Sequence, residues 1–215
     1  MKTANITNGE GFNAHFEKEH SQAGIPFNEA MMDGIATEAV FDDRFIDNRS
    51  SVHDVTKQEY LTKMQKFHDF INNQNDYDEV VLWFGDDTFC QLNMLCVLAM
   101  LEKSGYIGKI SSVLINDTDL SVIKEKSPVI DDRYAELYEE IIVNKRYAEC
   151  RDPVMRRAVR LYFDYLDENG RLATFIREHE ELSEYDLTVG LLTAGEDYGL
   201  SDIQAAELIK KYKKI

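Results

Sequence analysis

The sequence predicts an α/β fold, a Rossmann-like and mainly parallel sheet followed by a small all-α domain. Three observations predict it. Short apolar runs alternate with helix-spaced apolar positions through the first half of the chain. The run Val80-Val81-Leu82-Trp83-Phe84 stops abruptly at Gly85-Asp86-Asp87, and apolar residues then resume at helical spacing. Beyond Asn116 the strand signals stop and helical periodicity takes over.

Residues 3–7 predict a first strand, broken by Asn8-Gly9 before Phe12 and Phe16 open a short helix. A second strand is expected over residues 25–31. The segment 33–51 has no clear period and reads as a long loop. Thr56 and Glu59 have capping-box spacing, and Tyr60, Met64, Phe67 and Ile71 predict one helix ending near Asn72-Asn73. Residues 79–84 are the third strand. Phe89, Leu92, Leu95, Cys96, Ala99 and Leu101 predict a largely buried helix with Gly105 at its left-handed cap, and residues 110–115 are the fourth strand. Right-handed crossovers then favour the order 2-1-3-4. In the second part, Asp152-Pro153 predicts an N-cap with proline at the first helical position, and Gly170 is expected past that helix's end. Ser183 and Ser201 open two further helices. The compositional shift divides the chain into an α/β domain at 1–126 and a helical domain at 127–215.

A chain of 215 residues with 44% hydrophobic content has enough apolar surface for a sizeable core. Its 40 acidic and 24 basic residues give a formal charge of -16, which disfavours nucleic acid phosphates and anionic membranes as partners. No apolar run approaches the length of a membrane span or a signal peptide, so a cytoplasmic protein is expected. Cys90, Cys96 and Cys150 lack the spacing of a zinc site or a disulfide framework; two are expected buried on a helix and Cys150 nearer the surface. The five histidines have no metal-ligating spacing.

Ligands of open α/β sheets bind outside the carboxyl ends of the strands, at the point where strand order reverses. The order 2-1-3-4 puts that point between strands one and three, bringing Thr7, Asn8, Gly9 and Glu10 beside Asp86, Asp87 and Gln91. Asn8 and the Gly9 backbone are the expected positioning groups. Asp87 would accept ligand hydroxyls or hold a divalent ion, Gln91 would support it one helical turn later, and Glu10 is a candidate general base. One of the paired aspartates is expected to cap the following helix. Asp33 and Asp117 are further oxygen donors near strand ends. No dinucleotide or P-loop glycine pattern is present, and neither metal nor cofactor can be named. Lys145, Arg146, Arg151, Arg156, Arg157 and Arg160 form the one basic island, suited either to closing over an anionic ligand or to pairing with the acidic sheet domain. The stretch from Gly199 to Lys210-Lys211-Tyr212-Lys213-Lys214 has helix-turn-helix character, for which helix packing is favoured over DNA reading.

The motifs Ile6-Thr7-Asn8-Gly9-Glu10 and Leu82-Trp83-Phe84-Gly85-Asp86-Asp87-Thr88-Phe89-Cys90-Gln91-Leu92 resemble, in matching order, an uncharacterised bacterial family catalogued as domain of unknown function eighteen thirty-five. Thr7, Asn8, Gly9, Trp83, Asp87 and Gln91 keep the family pattern. Asn5 and Asp86 stand where it often has histidine, Glu10 where it has aspartate, and Cys90 where it often has a second acid. The resemblance covers residues 1–125 and implies a helical companion domain, but no assigned reaction. The function expected is binding of a small polar or phosphorylated ligand at the switch point, as a transferase or hydrolase if catalytic. The alternative is a non-catalytic regulatory or protein-interaction module, with a protein partner or oligomerisation through the helical domain.

Overall fold

The computed structural model describes residues 2–116 and 118–213, so Asp117 and Lys214, both singled out above, lie outside the described residues. Strand β1 (Thr3–Thr7) leads through helix α1 (Gly9–His20) to a short β2 (Gly24–Pro26). Helices α2 (Asp43–Val52), α3 (Lys57–Lys63) and α4 (Gln65–Asn72) precede β3 (Glu79–Gly85), and α5 (Thr88–Lys103) connects β3 to β4 (Lys109–Ile115). After β5 (Val122–Pro128) come α6 (Tyr134–Tyr138), α7 (Pro153–Leu166), α8 (Arg171–Glu178), α9 (Glu184–Ala194) and α10 (Asp202–Tyr212). The sheet order is β2-β1-β3-β4-β5, parallel except for β5, which pairs antiparallel with β4. Mixed α/β architecture is thus as the sequence predicts, and the predicted order holds for four strands.

Alternation along the strands builds two cores. Ala4, Ile6, Val80, Leu82 and Phe84 face a large apolar cluster with α5 at its centre. Val81, Val113 and Ile115 point the other way, against Phe12 and Phe16 of α1. Helix α5 is apolar all round and buried from Thr88 nearly to its end, as expected of a helix enclosed between the sheet and the later helices. The large cluster continues without a break through Tyr138, Met155, Tyr162, Leu191 and Leu208, so the later helices share one core with the sheet.

Local signals decide most boundaries. Thr56 and Glu59 make a complete capping box, as do Ser201 and Gln204. Asp152 accepts from the amides of Val154 and Met155 ahead of Pro153, and Gly105 is left-handed at φ 69°. Several expectations are corrected. The second strand is only Gly24–Pro26, because the backbone after it leaves the sheet to form the loop described below. The loop expected at 33–51 carries α2, capped by the Asp42 side chain on the Phe45 amide. The helix expected from Thr56 to Asn72 is broken at Met64 into α3 and α4. Gly170 lies past the end of α7, which stops at Leu166, and there serves as the N-cap of α8. Finally, strand structure does not stop at Asn116: β5 adds an edge whose Lys124, Glu125 and Lys126 are exposed, so it has no apolar alternation to announce it. Cys150, expected nearer the surface, is buried like Cys90 and Cys96. Among the described residues no helix is long and apolar enough to cross a membrane.

The loop after β2 is fixed by a buried ion pair. Arg49 Nη2 lies 2.7 Å from Glu29 Oε2, with both side chains withdrawn from solvent. The same guanidinium donates to the carbonyls of Asp33 (2.6 Å) and Ala30 (2.8 Å). His53 Nε2 lies 3.1 Å from Glu29 Oε2, and the Tyr60 hydroxyl donates to Oε1. Burial pushes the Glu29 carboxyl up, but the His53 hydrogen bond and the Arg49 charge outweigh it and bring the pKa down to about 2. Asp33 is shifted the opposite way, upward, by burial that its bonds from Tyr165 and Gln204 only partly offset.

A carboxyl depressed in the folded state contributes stability above its unfolded pKa and loses it as pH falls, so Glu29 destabilises the chain progressively between about pH 4.5 and about pH 2. The full effect is on the order of 3 kcal/mol, opposed by Asp33, which gains protons more readily folded than unfolded. Glu29→Gln strands the Arg49 charge and costs about 3–5 kcal/mol at neutral pH. In urea titrations across this range the gap between the variant and the natural chain narrows as pH falls; a gap independent of pH would show that Glu29 is not the titrating group.

Candidate functional site

The two sequence motifs meet where the strand order reverses. Thr7 pairs with Trp83 in the β1–β3 ladder, and the Asn8 amide donates to the Trp83 carbonyl at 3.2 Å. Gly9, at φ 80°, turns the chain directly into α1, a backbone conformation that strains a residue bearing a Cβ. The Asn8 side chain does not cap that helix. It crosses to α5 instead, donating to Cys90 Sγ at 2.8 Å and accepting from Asn93 Nδ2 at 2.9 Å. Asn93 also donates to the Glu29 carbonyl (2.7 Å) and accepts from the Met31 amide (2.9 Å). One buried amide side chain thus joins β1, α5 and the loop after β2.

Two other predicted residues are committed inside the fold. Thr7 Oγ1 donates to Asn13 Oδ1 at 2.8 Å, beneath α1. Gln91 is fully buried and donates to the Gly85 carbonyl at 2.6 Å, while its Oε1 has no hydrogen-bond partner among the described residues. Glu10 lies exposed in the first turn of α1.

Asp86 and Asp87 divide the work as their adjacency requires. Asp87 caps α5, its Oδ1 accepting from the Cys90 amide at 2.8 Å, and is only 5% exposed. Gly199 lies over it. A Cβ on Gly199 would sit 2.2 Å from Asp87 Oδ1, and its backbone is left-handed at φ 68°. Thr88 Oγ1 donates to the Asp197 carbonyl at 3.1 Å, so the turn between α9 and α10 closes directly on the start of α5. Asp86 faces out and meets α7, where Arg157 Nη2 donates to its carbonyl (2.7 Å) and to Oδ2 (3.1 Å).

Between these elements lies a cleft of about 380 Å³, lined by Asp86, Asp87, Asn116, Arg157 and residues 193, 194, 196 and 197. It opens at the carboxyl ends of β3 and β4. Four of its lining residues are acidic (Asp86, Asp87, Glu196 and Asp197) and Arg157 is the one basic residue in the lining; Arg171, from α8, pairs with Asp197 and stacks on Tyr198 at 4.7 Å. Glu10, Thr7, Asn8, Gly9 and Gln91 are not part of this lining. Arg156 and Arg160 of the basic island both reach Glu149, at 3.0 and 3.7 Å. Among the described residues no three His, Cys, Asp or Glu side chains come together as a metal-holding group.

The sequence reading missed Asn93, Asn116, Asp197 and Gly199. Asn93 carried a usable signal, as one of two amide side chains inside an otherwise apolar helix. The others depend on the return of the last helices to the sheet. Comparison of the chain with protein-family models, curated proteins and solved structures finds no match.

Gly199→Ala meets both a left-handed backbone and the Asp87 carboxylate. It is expected to lower stability by about 1–3 kcal/mol, read as a shift of the urea midpoint. An unchanged midpoint would mean that the α9–α10 turn does not press on Asp87.

Proposed function

We infer that the chain binds a small polar ligand in the cleft at the ends of β3 and β4. The observation carrying this reading is the placement of Asp86: a carboxylate at a strand's carboxyl end, 40% exposed, oriented by Arg157 and facing a cleft closed on its far side by the α9–α10 turn. Asn116, whose Oδ1 accepts from the amides of Thr118 and Asp119, also lines the cleft. Hydroxyl or amino groups suit these acceptors. A phosphate does not, because the lining is acidic and its guanidinium is already paired, so the reading favours the polar ligand over the phosphorylated one. If the ligand is turned over by transfer or hydrolysis, Asp86 is the carboxylate placed to accept a proton, with Asp87 holding the start of α5 beneath it. Membership of the domain of unknown function eighteen thirty-five family is part of the proposal; the juxtaposition of its two motifs at the ends of β1 and β3 supports it.

Native mass spectrometry of the purified chain beside its denatured mass tests this. A small mass released on denaturation, and missing from folded Asp86→Asn and Arg157→Gln, is the expected result. A ligand retained by both variants would place binding elsewhere.

The interaction module is favoured by a different face. On α10, Ile203 is 73% exposed beside a groove of about 580 Å³ that carries Glu184 and Glu207 together with Lys210 and Lys213. Acidic and basic groups in one groove suit a second copy of the chain across a two-fold axis, where each acid can meet a base. Light scattering should then give a dimer that Ile203→Glu converts to monomer; a monomeric natural chain would remove this reading.

A further inference from the structure

The basic island contains a lysine that neither reading uses. Helix α6 runs on into a π-helical turn at Glu139–Val143, which closes when the Asn144 amide donates to the Glu139 carbonyl (2.8 Å) and the Arg146 amide to the Glu140 carbonyl (2.7 Å). Between those two amides Lys145 adopts φ 52°, a left-handed conformation that a lysine keeps only where its surroundings hold it. Its side chain reaches α7, where Nζ donates to Tyr162 Oη at 2.5 Å and lies 5.2 Å from the ring centroid. Tyr162 is fully buried, whereas Lys145 as a residue is exposed. The lysine is thus open to solvent, while its bond to Tyr162 is partly buried.

Two charged groups act on that amine, Asp33 from the loop after β2 and Arg49 from α2. Loss of water comes first, the Arg49 guanidinium second, and the Asp33 carboxylate opposes them; together they lower the ammonium to about 8. The two Asp33 oxygens accept from Tyr165 (3.1 Å) and Gln204 (2.5 Å), and burial shifts that carboxyl upward. A desolvated lysine beside a second cation is the arrangement that makes an amine nucleophilic near neutral pH.

We propose that Lys145 and Tyr162 form a site that captures a small carbonyl compound, an aldehyde or a 2-oxo acid, as an imine on Nζ. The site shares no residue with the lining of the Asp86 cleft and stands independently of that reading. The lone pair of the neutral amine forms the C–N bond while the carbonyl π pair moves to oxygen and takes up a proton, giving a carbinolamine. Nitrogen sheds both its protons, one balancing that uptake and the other passing to the hydroxyl, which leaves as water while the C=N bond forms. The sum is amine plus carbonyl to imine plus water, with no oxidant or reductant. Tyr162 Oη, within hydrogen-bond reach of Nζ, relays the proton from nitrogen to the departing hydroxyl. Burial raises the tyrosine's own pKa, so it works as a hydroxyl relay and not as a standing tyrosinate.

The test exposes the full chain to glyoxylate or acetaldehyde with cyanoborohydride from about pH 6 to about pH 10 and follows alkylation of every lysine by peptide mapping. Lys145 should be labelled on the order of tenfold faster than the other lysines at neutral pH, with a half-maximal rate near pH 8. Tyr162→Phe with an unchanged circular dichroism spectrum should slow Lys145 several-fold and leave the other lysines alone, and Lys145→Arg should remove the fast adduct. A preference for glyoxylate assigns a 2-oxo acid, and equal rates a bare carbonyl; both sustain the proposal. Labelling of Lys145 at the common surface rate, with the midpoint of a free lysine near about 10.4, overturns it, and this readout on the natural chain decides the matter even if Tyr162→Phe does not fold.

Discussion

The Glu29–Arg49 pair is the constraint on which the rest of this molecule depends. A short β2 leaves the chain without a ladder after Pro26, and the loop that follows must carry its own backbone polar groups into a buried position. Arg49 answers several of these needs with one guanidinium: it takes the carbonyls of Ala30 and Asp33 and neutralises Glu29. Such a pair is not strongly stabilising in itself, because two desolvated ions recover little more than they lose. Its effect is on shape. With Glu29 fixed, its carbonyl and the Met31 amide stand ready for Asn93, and Asn93 in turn holds Asn8 at the end of β1. The polar chain thus runs from α2 to the switch point without passing through solvent.

The fold was legible in the sequence where local chemistry and period agree. Strands β1, β3 and β4, helix α5, and the caps at Thr56, Asp152 and Ser201 all satisfy a short-range rule that tertiary structure has no cause to override. β5 failed the same reading because an exposed edge needs no apolar face. It pairs through backbone groups, and charged side chains there discourage further strands from adding. Helix α2 was hidden for the opposite reason. Its buried residues include Arg49 and Ser50 beside Phe45 and Ile46, so its inward face is partly polar and does not read as an amphipathic stripe.

The candidate site was legible as a place and less so as a set of side chains. Sequence spacing correctly put Asn8 next to the β3 end, yet which way each side chain turns depends on partners far along the chain. Thr7 and Ile6 differ by one position and face opposite layers, so Thr7 meets α1 while Ile6 meets the large core. Asp87 and Asp86 likewise differ by one position. The first takes up the α5 cap, and the second is left facing the cleft. Arg157 rather than Arg156 or Arg160 reaches Asp86 because Glu149, which nothing in the motif pattern marks, holds the other two.

The acidic surplus and the basic island are two parts of one electrostatic arrangement. In the cleft, carboxylates outnumber guanidiniums, and the one arginine in the lining is tied to Asp86, so polar groups without negative charge are the ones the site can accept. Around Lys145 the order is reversed. Arg49 is fixed in place by its bond to Glu29, and Asp33 is turned toward Tyr165 and Gln204, which leaves a cation near the amine and a carboxylate engaged elsewhere. The pair that shapes the loop after β2 therefore also sets the field at Lys145. A chain of strongly negative net charge holds a lysine of lowered basicity where the neighbouring acid is itself drawn toward its neutral form, and here burial of Asp33, which its bonds from α7 and α10 only partly offset, acts in that direction.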